Sequence, residues 1–297
     1  MNKKVTIIVA TLCGLIIFST TWAAVIHEEK SLYRNIEVKE SVNRRCLVFA
    51  IKKGDRNQTC MDLTDPQKVV FPYARMTFAG LLLNPQPSSI LVIGLGGGTI
   101  PTVLATLYPD SQIDVVEIDL AVVDVARKYF AYSESERSRV YVQDARVFIK
   151  RAGLRGVTYD LVILDAFTGD YIPEHLMTAE FIEETARLLS PNGVLVANTF
   201  STSALYDHES VTYNKVFPEF INFKMPNTGN RVIIATIKPL PSHRTMQERA
   251  MKLTDILTTY SIDIRSFLPY LKRTKDWRQD VRPLTDQYSP ANLLRNN

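Results

Sequence analysis

Apolar and polar positions follow three patterns in the first part of the chain, and each pattern predicts a different element. Residues 5–26 are a run of twenty-two without one charged side chain, long enough for a membrane-spanning helix or a signal peptide. Residues 31–63 alternate in the manner of strands and predict a small antiparallel β unit. Its strands are expected around Leu32, Ile36 and Val38, over 47–51 and over 59–63. Residues 65–83 have helical spacing, and the stretch 84–89 then breaks the chain.

From residue 90, apolar runs alternate with amphipathic segments at the spacing of βαβ units, which predicts an α/β fold with a parallel sheet. The predicted strands cover 90–93, 113–117, 140–142, 161–165 and 194–197, followed by 220–223 and 231–236 with a helix between them. The predicted helices cover 100–107, 121–130, 145–151, 178–189 and 244–260. These patterns divide the chain into an apolar segment (1–26), a β unit (31–64), an α/β domain (65–240) and a helical or irregular tail (241–297).

The stretch 90–119, ILVIGLGGGTIPTVLATLYPDSQIDVVEID, predicts a nucleoside site. Gly94, Gly96 and Gly98 follow the first strand, so a ligand can approach the backbone beside the unpaired N–H groups of the next helix. Glu117 ends the second strand, where a carboxylate accepts hydrogen bonds from ribose hydroxyls. Thr99 stands where the dinucleotide fingerprint needs a glycine, and the G-x-G-x-G spacing favours an adenosine-sulfonium ligand over NAD. A turn that binds nothing is the alternative.

Further acids follow the predicted strands, at the sheet edge where doubly wound folds bind ligands. Asp144 can accept a hydrogen bond from the exocyclic amine of adenine, cap the helix that starts at Ala145, or do both. Asp119 is expected to cap the helix that begins near Leu120. Asp165 ends the apolar strand YDLVILD, where a carboxylate is costly unless it meets a cation or a hydrogen-bond donor. We therefore expect a cationic amine beside Asp165, the alternative being a carboxylate that only caps the following loop.

Composition argues against two classes of ligand. The net charge of +4 comes from 35 basic and 31 acidic residues scattered along the chain, without a basic run that carries aromatic residues, so nucleic acid is not implied. The four histidines lie far apart and lack cysteine or carboxylate neighbours at ligand spacing, so no structural metal is expected.

The charges that flank the amino-terminal run predict export. Lys3 and Lys4 precede the run, and Glu28 and Glu29 follow it, the asymmetry of a segment whose downstream domain leaves the cytoplasm. The run is then either a signal peptide cleaved after Ala23, with a periplasmic product, or a single anchor in the inner membrane. The alternative is a buried helix of the globular domain, although such a helix would normally have a polar face.

Two cysteines bear on the same question. Cys46 and Cys60 flank the polar turn 52–57, and pairing the flanks about Lys53 places the cysteines opposite each other. In an oxidising compartment they would form a disulfide across the hairpin. Two separate buried thiols are the alternative.

From about residue 31 to residue 236, the chain resembles the spermidine synthases, or polyamine aminopropyltransferases, and in particular their membrane-associated bacterial branch. The resemblance rests on Tyr73 and on the segments SLYRNIEV, VIGLGGGT, VVEID, QDARVFI, YDLVILDAF and PEHLMTAEF, with LTDQYSP near the carboxyl end. It implies a methyltransferase-like, Rossmann-type seven-stranded sheet behind a small amino-terminal β domain, commonly in a homodimer. It also implies decarboxylated S-adenosylmethionine as a co-substrate, with no tightly bound cofactor, and transfer of its aminopropyl group to a diamine such as putrescine.

The resemblance also assigns roles to individual residues. Glu117 would hold the ribose, Asp144 the adenine and Asp165 the attacking amine, with Tyr73 and Asp170 at the substrate.

Three positions depart from the family pattern. Gly97 replaces an aspartate that, in the family, helps to hold the donor's amine. Thr168 replaces a second family aspartate, although Asp170 is near enough to take its place. Arg34 replaces a glutamine.

Aminopropyl transfer is the first hypothesis for the function. A methyltransferase that uses S-adenosylmethionine on the same fold is the second, and a non-catalytic exported module that binds polyamines or a protein partner is the third.

Overall fold

The computed structural model describes residues 23–51, 54–167 and 171–289. Most of the predicted signal or anchor run therefore lies outside the described residues. Its last residues, 24–26, form the start of strand β1 (Ala24–Lys30). In the described part of the chain, no helix is long and apolar enough to cross a membrane.

The amino-terminal unit is an antiparallel sheet of four strands in the order β1-β2-β3-β4. The other three strands are β2 (Asn35–Ser41), β3 (Arg44–Ile51) and β4 (Gly54–Asp62). The sequence pattern predicts only three strands here, because β1 is an edge strand whose residues are exposed or half-buried and it therefore shows no apolar alternation. Its mixed charges are typical of an edge.

The main sheet has eight strands in the order β12-β10-β11-β9-β8-β5-β6-β7. Strands β5 to β9 run parallel, whereas β10, β11 and β12 pair antiparallel with their neighbours. The strands are β5 (Ser89–Ile93), β6 (Gln112–Glu117), β7 (Ser138–Val142), β8 (Tyr159–Leu164), β9 (Leu189–Phe200), β10 (Phe220–Phe223), β11 (Asn230–Thr236) and β12 (Leu271–Lys272).

The α-helices fall close to their predicted positions. They are α1 (Pro72–Thr77), α2 (Thr99–Leu107), α3 (Leu120–Tyr129), α4 (Ala145–Leu154), α5 (Ala179–Ala186), α6 (Tyr206–Val216) and α7 (His243–Thr258), and 3-10 turns cover Phe78–Leu82, Glu174–Leu176 and Ile264–Tyr270.

Three predictions about these elements are wrong. No helix lies between β10 and β11: they form a hairpin in which Phe223 pairs with Val232, and the turn between them includes Asn227 at a positive φ of 61°. The sheet has eight strands rather than seven, because the two-residue strand β12 adds at the edge, too short to leave a pattern. Residues 65–83 are helical only from Pro72, since proline sits at a helix start but not inside it.

Apolar side chains cover both faces of the main sheet. Ile90 and Val92 belong to the core beneath α2 and α7, whereas Leu91 and Ile93 belong to the core beneath α4 and α5, as expected for strands buried on both faces. The amino-terminal sheet packs its own apolar face against α3, where Val38 and Phe49 join a third core. The β unit is thereby held beside the carboxyl ends of the parallel strands.

Candidate functional site

The glycine turn connects β5 to α2 in a conformation that needs its glycines. Gly94, Gly96 and Gly98 have φ values of 96°, 54° and 79°, which other residues rarely adopt. A β-carbon on Gly94 would overlap the backbone carbonyl of Asp165, and one on Gly98 would overlap the ring of Tyr132. A β-carbon on Gly96 would meet nothing within 4 Å, so this residue leaves open space where the turn borders a cavity.

Glu117 connects this turn to the end of β6. One carboxylate oxygen accepts a hydrogen bond from the backbone N–H of Leu95 (3.1 Å), and the other accepts one from that of Asp119 (3.1 Å). Burial raises the pKa of Glu117, while these bonds and the charge of Arg34 oppose the rise. Both oxygens keep a further lone pair for a ligand hydroxyl.

Asp144 and Asp119 begin the helices that follow β7 and β6. The Asp144 carboxylate accepts from the Val147 N–H (2.9 Å) and so caps α4, and its second oxygen lies 2.9 Å from Nε2 of His175. Asp119 caps α3 through the Ala121 N–H (3.1 Å), as predicted, and also accepts from the Ser31 hydroxyl (2.6 Å). Asp144 and His175 border the same cavity as the glycine turn.

Asp165 lies directly after β8, on the edge that faces this cavity. Its Oδ1 accepts a hydrogen bond from Nδ2 of Asn198 at 2.8 Å. Burial raises the pKa of Asp165 to about 7, although the Asn198 bond acts in the opposite direction. A carboxylate with this pKa can exchange a proton near neutral pH.

Asn198 is itself held by a second asparagine, a feature that the sequence did not reveal. Its Oδ1 accepts from Nδ2 of Asn230 (3.0 Å), and Oδ1 of Asn230 accepts from the Thr228 hydroxyl (3.3 Å). Because the Asn198 oxygen is occupied in this way, its amide nitrogen faces Asp165. The only signal in the sequence is a polar residue that ends the apolar run VLVA of β9.

Tyr73 and Arg34 close the cavity from the β-unit side. The Tyr73 hydroxyl donates to the Gln58 carbonyl at 2.9 Å, and burial, followed by the charge of Asp165, raises the Tyr73 pKa well above its ordinary value. The Arg34 guanidinium lies 4.3 Å over the Phe49 ring and donates to the Phe167 carbonyl at 3.2 Å. Arg34 therefore connects the β unit to the segment that follows Asp165.

The structure gives a physical reason for one departure from the family pattern. A β-carbon on Gly97 would overlap the Thr59 methyl group and press on the Phe130 ring, so the space that an aspartate needs here is filled. Thr168 and Asp170 lie outside the described residues.

Two adjoining spaces make up the site. The nucleoside cavity, defined by the glycine turn, Glu117, Asp144 and Asp165, has a volume of about 230 Å³. The acceptor cleft, about 680 Å³ in volume, is bordered by Asn198 and Asn230 and shares Tyr73 and Phe167 with the nucleoside cavity. Within the described ranges, no cluster of three or more His, Cys, Asp or Glu side chains could hold a metal ion.

Cys46 and Cys60 lie opposite each other in β3 and β4 and are joined by a disulfide. The bond lies one residue from Thr59, which borders the nucleoside cavity.

Comparison with known proteins places the chain in a family. The family model described as "Spermine/spermidine synthase domain" matches residues 71–237, more than half of the chain. The polyamine aminopropyltransferase of Vibrio vulnificus (strain CMCP6) is 53% identical over 297 residues, 99% of this chain and 99% of the relative.

Solved structures agree on the fold. A probable spermidine synthase from Corynebacterium glutamicum ATCC 13032 matches with a TM-score of 0.64 at 22% identity, over 87% of this chain and 99% of its own. A spermidine synthase in complex with the transition state analogue AdoDATO matches with a TM-score of 0.59 at 23% identity, over 77% of this chain and 78% of its own. The predicted methyltransferase-like fold with its amino-terminal β unit is confirmed, and the chain belongs to the spermine/spermidine synthase family.

Proposed function

We propose that the chain is an aminopropyltransferase of polyamine biosynthesis, which transfers an aminopropyl group from decarboxylated S-adenosylmethionine to a diamine such as putrescine. The observation that carries this function is Asp165, a carboxylate with a pKa of about 7 that borders the nucleoside cavity and is bonded to Asn198, a residue of the adjoining cleft. The family and the relative at 53% identity support the same reaction.

The nucleoside occupies the first cavity. Glu117, already fixed by two backbone N–H groups, accepts from the ribose hydroxyls, and Asp144 accepts from the adenine amine. This pose directs the carbon beside the sulfonium toward Asp165. The donor is a co-substrate that leaves after each turnover.

The diamine enters through the acceptor cleft. One of its ammonium groups gives a proton to the Asp165 carboxylate, and the resulting amine attacks the carbon beside the sulfonium. A carbon–nitrogen bond forms, the carbon–sulfur bond breaks, and its electron pair stays on sulfur, which leaves as the neutral thioether methylthioadenosine. The new secondary amine keeps its positive charge. Alignment of the two reactants supplies much of the acceleration.

Product analysis tests this function. The full chain is incubated with putrescine and either decarboxylated or ordinary S-adenosylmethionine, and methylthioadenosine and the amine product are quantified by mass spectrometry. We expect spermidine and methylthioadenosine in equal amounts from the decarboxylated donor and none from Asp165→Asn. Methylated product from the ordinary donor would instead support a methyltransferase, and no product from either donor with any diamine would refute enzymatic transfer.

We further propose that the domain is exported, with the amino-terminal run as a cleaved signal or a membrane anchor. The disulfide supports export, since such bonds persist in oxidising compartments. Reporter fusions after residue 30 and at the carboxyl end test the proposal: a reporter that works only in the periplasm should be active at both places. Activity of a reporter that works only in the cytoplasm at both places would refute export.

The homodimer that the resemblance implies remains a prediction, which light scattering of the purified protein can test.

A further inference from the structure

A buried ion pair lies in the wall of the acceptor cleft, beyond the residues described so far. Arg231 of β11 is completely buried. It donates to the Glu209 carboxylate (3.1 Å), the Ser210 hydroxyl (2.5 Å) and the Thr199 hydroxyl (2.9 Å), and its guanidinium lies 4.1 Å over the Tyr206 ring. These contacts fix the arginine in one position.

Glu209 is only half engaged by this arginine. Its Oε2 accepts from Arg231, whereas its Oε1 has no hydrogen-bonding partner among the described residues, and the residue borders the acceptor cleft. A carboxylate that served only to neutralise Arg231 would not need to border the substrate space. The free oxygen therefore points to a ligand that donates hydrogen bonds.

The rest of the acceptor cleft makes Glu209 distinctive. Among the described residues that border the cleft, Glu209 is the only acid, and none is a lysine or arginine. Five aromatic side chains form much of the remaining wall of the cleft: Phe71, Tyr73, Phe167, Tyr171 and Phe200. Three of them, Phe71, Tyr73 and Phe167, also border the nucleoside cavity, where Asp165 lies. A largely aromatic wall with one carboxylate in the cleft, Glu209, and another in the adjoining cavity, Asp165, suits a chain of methylenes that carries an ammonium at each end.

We propose that Glu209, held in place by Arg231, binds the second ammonium group of the diamine and makes the enzyme prefer diamines to monoamines. The inference rests on the proposed aminopropyl transfer. The reacting nitrogen loses its charge at Asp165, but the distal nitrogen stays charged and needs a counter-charge inside the cleft. Burial raises the pKa of Glu209 to about 7 against the opposing effect of Arg231, so an incoming cation favours the ionised carboxyl.

Glu209→Gln tests the proposal with two acceptors of equal length, putrescine and n-butylamine. A hydrogen bond between charged groups has a net value that corresponds to roughly tenfold to hundredfold in binding. We expect kcat/KM for putrescine to fall by that factor, while kcat/KM for n-butylamine and the affinity for methylthioadenosine change less than about twofold. Glu219→Gln, at a half-exposed acid paired with Arg273 outside the cleft, is the matched control and should leave both acceptors unaffected.

A second variant keeps the test valid if the single substitution unfolds the protein by leaving Arg231 unpaired. Glu209→Gln combined with Arg231→Met removes both charges at similar volume, a replacement that proteins often tolerate, and should lose the same preference for diamines. An equal loss for both acceptors, or no loss for putrescine, would overturn the role of Glu209. A wild-type enzyme that uses n-butylamine as well as putrescine would overturn it too, whatever the variants do. Absence of transfer by the wild type with every amine would instead refute the proposed function.

Discussion

Replacing Asn198 by leucine should shift the pH dependence of the reaction, because Asn198 stabilises the ionised form of Asp165. The substitution keeps the branched shape and the number of heavy atoms of a buried side chain and removes the only described donor to Asp165 Oδ1. A hydrogen bond to a charged group contributes about 1.5–3 kcal/mol, and 1.36 kcal/mol corresponds to one pKa unit. The Asp165 pKa should therefore rise from about 7 to about 8–9.

The consequence is a pH-dependent loss of activity. At pH 7 the ionised fraction of Asp165 falls from about one half to between about 10% and 1%, so kcat/KM for the acceptor should fall roughly 5-fold to 50-fold. At pH 9 to 10 most of the carboxyl is ionised again in both proteins, and the variant should approach the wild type. The acceptor's own ionisation affects both proteins equally and cancels in the ratio of their rates.

The assay is the ratio of variant to wild-type kcat/KM between pH 6 and 10, with methylthioadenosine as the measured product. Asn230→Ala, which removes only the group that orients Asn198, should give a smaller shift in the same direction. Asn222→Leu is the matched control, since it removes a buried amide that bonds to Asp276 away from Asp165. A ratio that is independent of pH, or a variant that recovers at low pH, would refute the electrostatic role of Asn198.

Three further predictions concern stability. Folding raises the Asp165 pKa from 3.8 to about 7, so the folded state binds more protons than the unfolded state across that range, and stability falls as pH rises through it. Asp165→Asn should therefore have an unfolding free energy about 4 kcal/mol higher than the wild type at pH 8, with little difference at pH 4. A less stable variant at pH 8 would contradict this. Replacing both Cys46 and Cys60 by serine should lower the unfolding free energy by about 2–3 kcal/mol, because the disulfide closes a short loop. Denaturant titration measures the loss, and added reductant should lower the stability of the wild type but not that of the variant. Gly97→Asp should destabilise the protein, because the new side chain overlaps the Thr59 methyl group. The loss of stability should be smaller when Thr59→Ala is also present. If the losses of the two single variants simply add, the two positions do not interact.

The sequence was sufficient for the features that depend on local pattern. The glycine turn, Glu117 and Asp165 follow buried parallel strands, and the carboxyl ends of such strands share one edge, so their placement in one site could be predicted. Strand β1 was missed because an exposed edge strand carries no apolar alternation. The hairpin of β10 and β11 was mistaken for a strand–helix–strand unit because the direction of pairing is a tertiary property.

The remaining site residues depend on contacts between distant segments. Asn198 approaches Asp165 only because β9 runs parallel to β8 with Ala197 opposite Leu164, and Glu209 meets Arg231 only because α6 brings it to β11. Neither pair has a spacing that a linear pattern can detect. Arg34 was noticed as a departure from the family, but its contact with the Phe167 carbonyl required the docked β unit.

The close approach of Gly94 to Asp165 has an evolutionary consequence. Since the place of a β-carbon at position 94 is occupied by the Asp165 carbonyl, the turn that would hold the donor and the strand that carries the carboxylate cannot change independently. The acceptor cleft is less constrained, because apart from the coupled pair of Glu209 and Arg231 its walls come largely from loop and hairpin side chains that can be exchanged one at a time. Descendants of this scaffold can therefore diversify in the amine they accept while their donor chemistry stays the same.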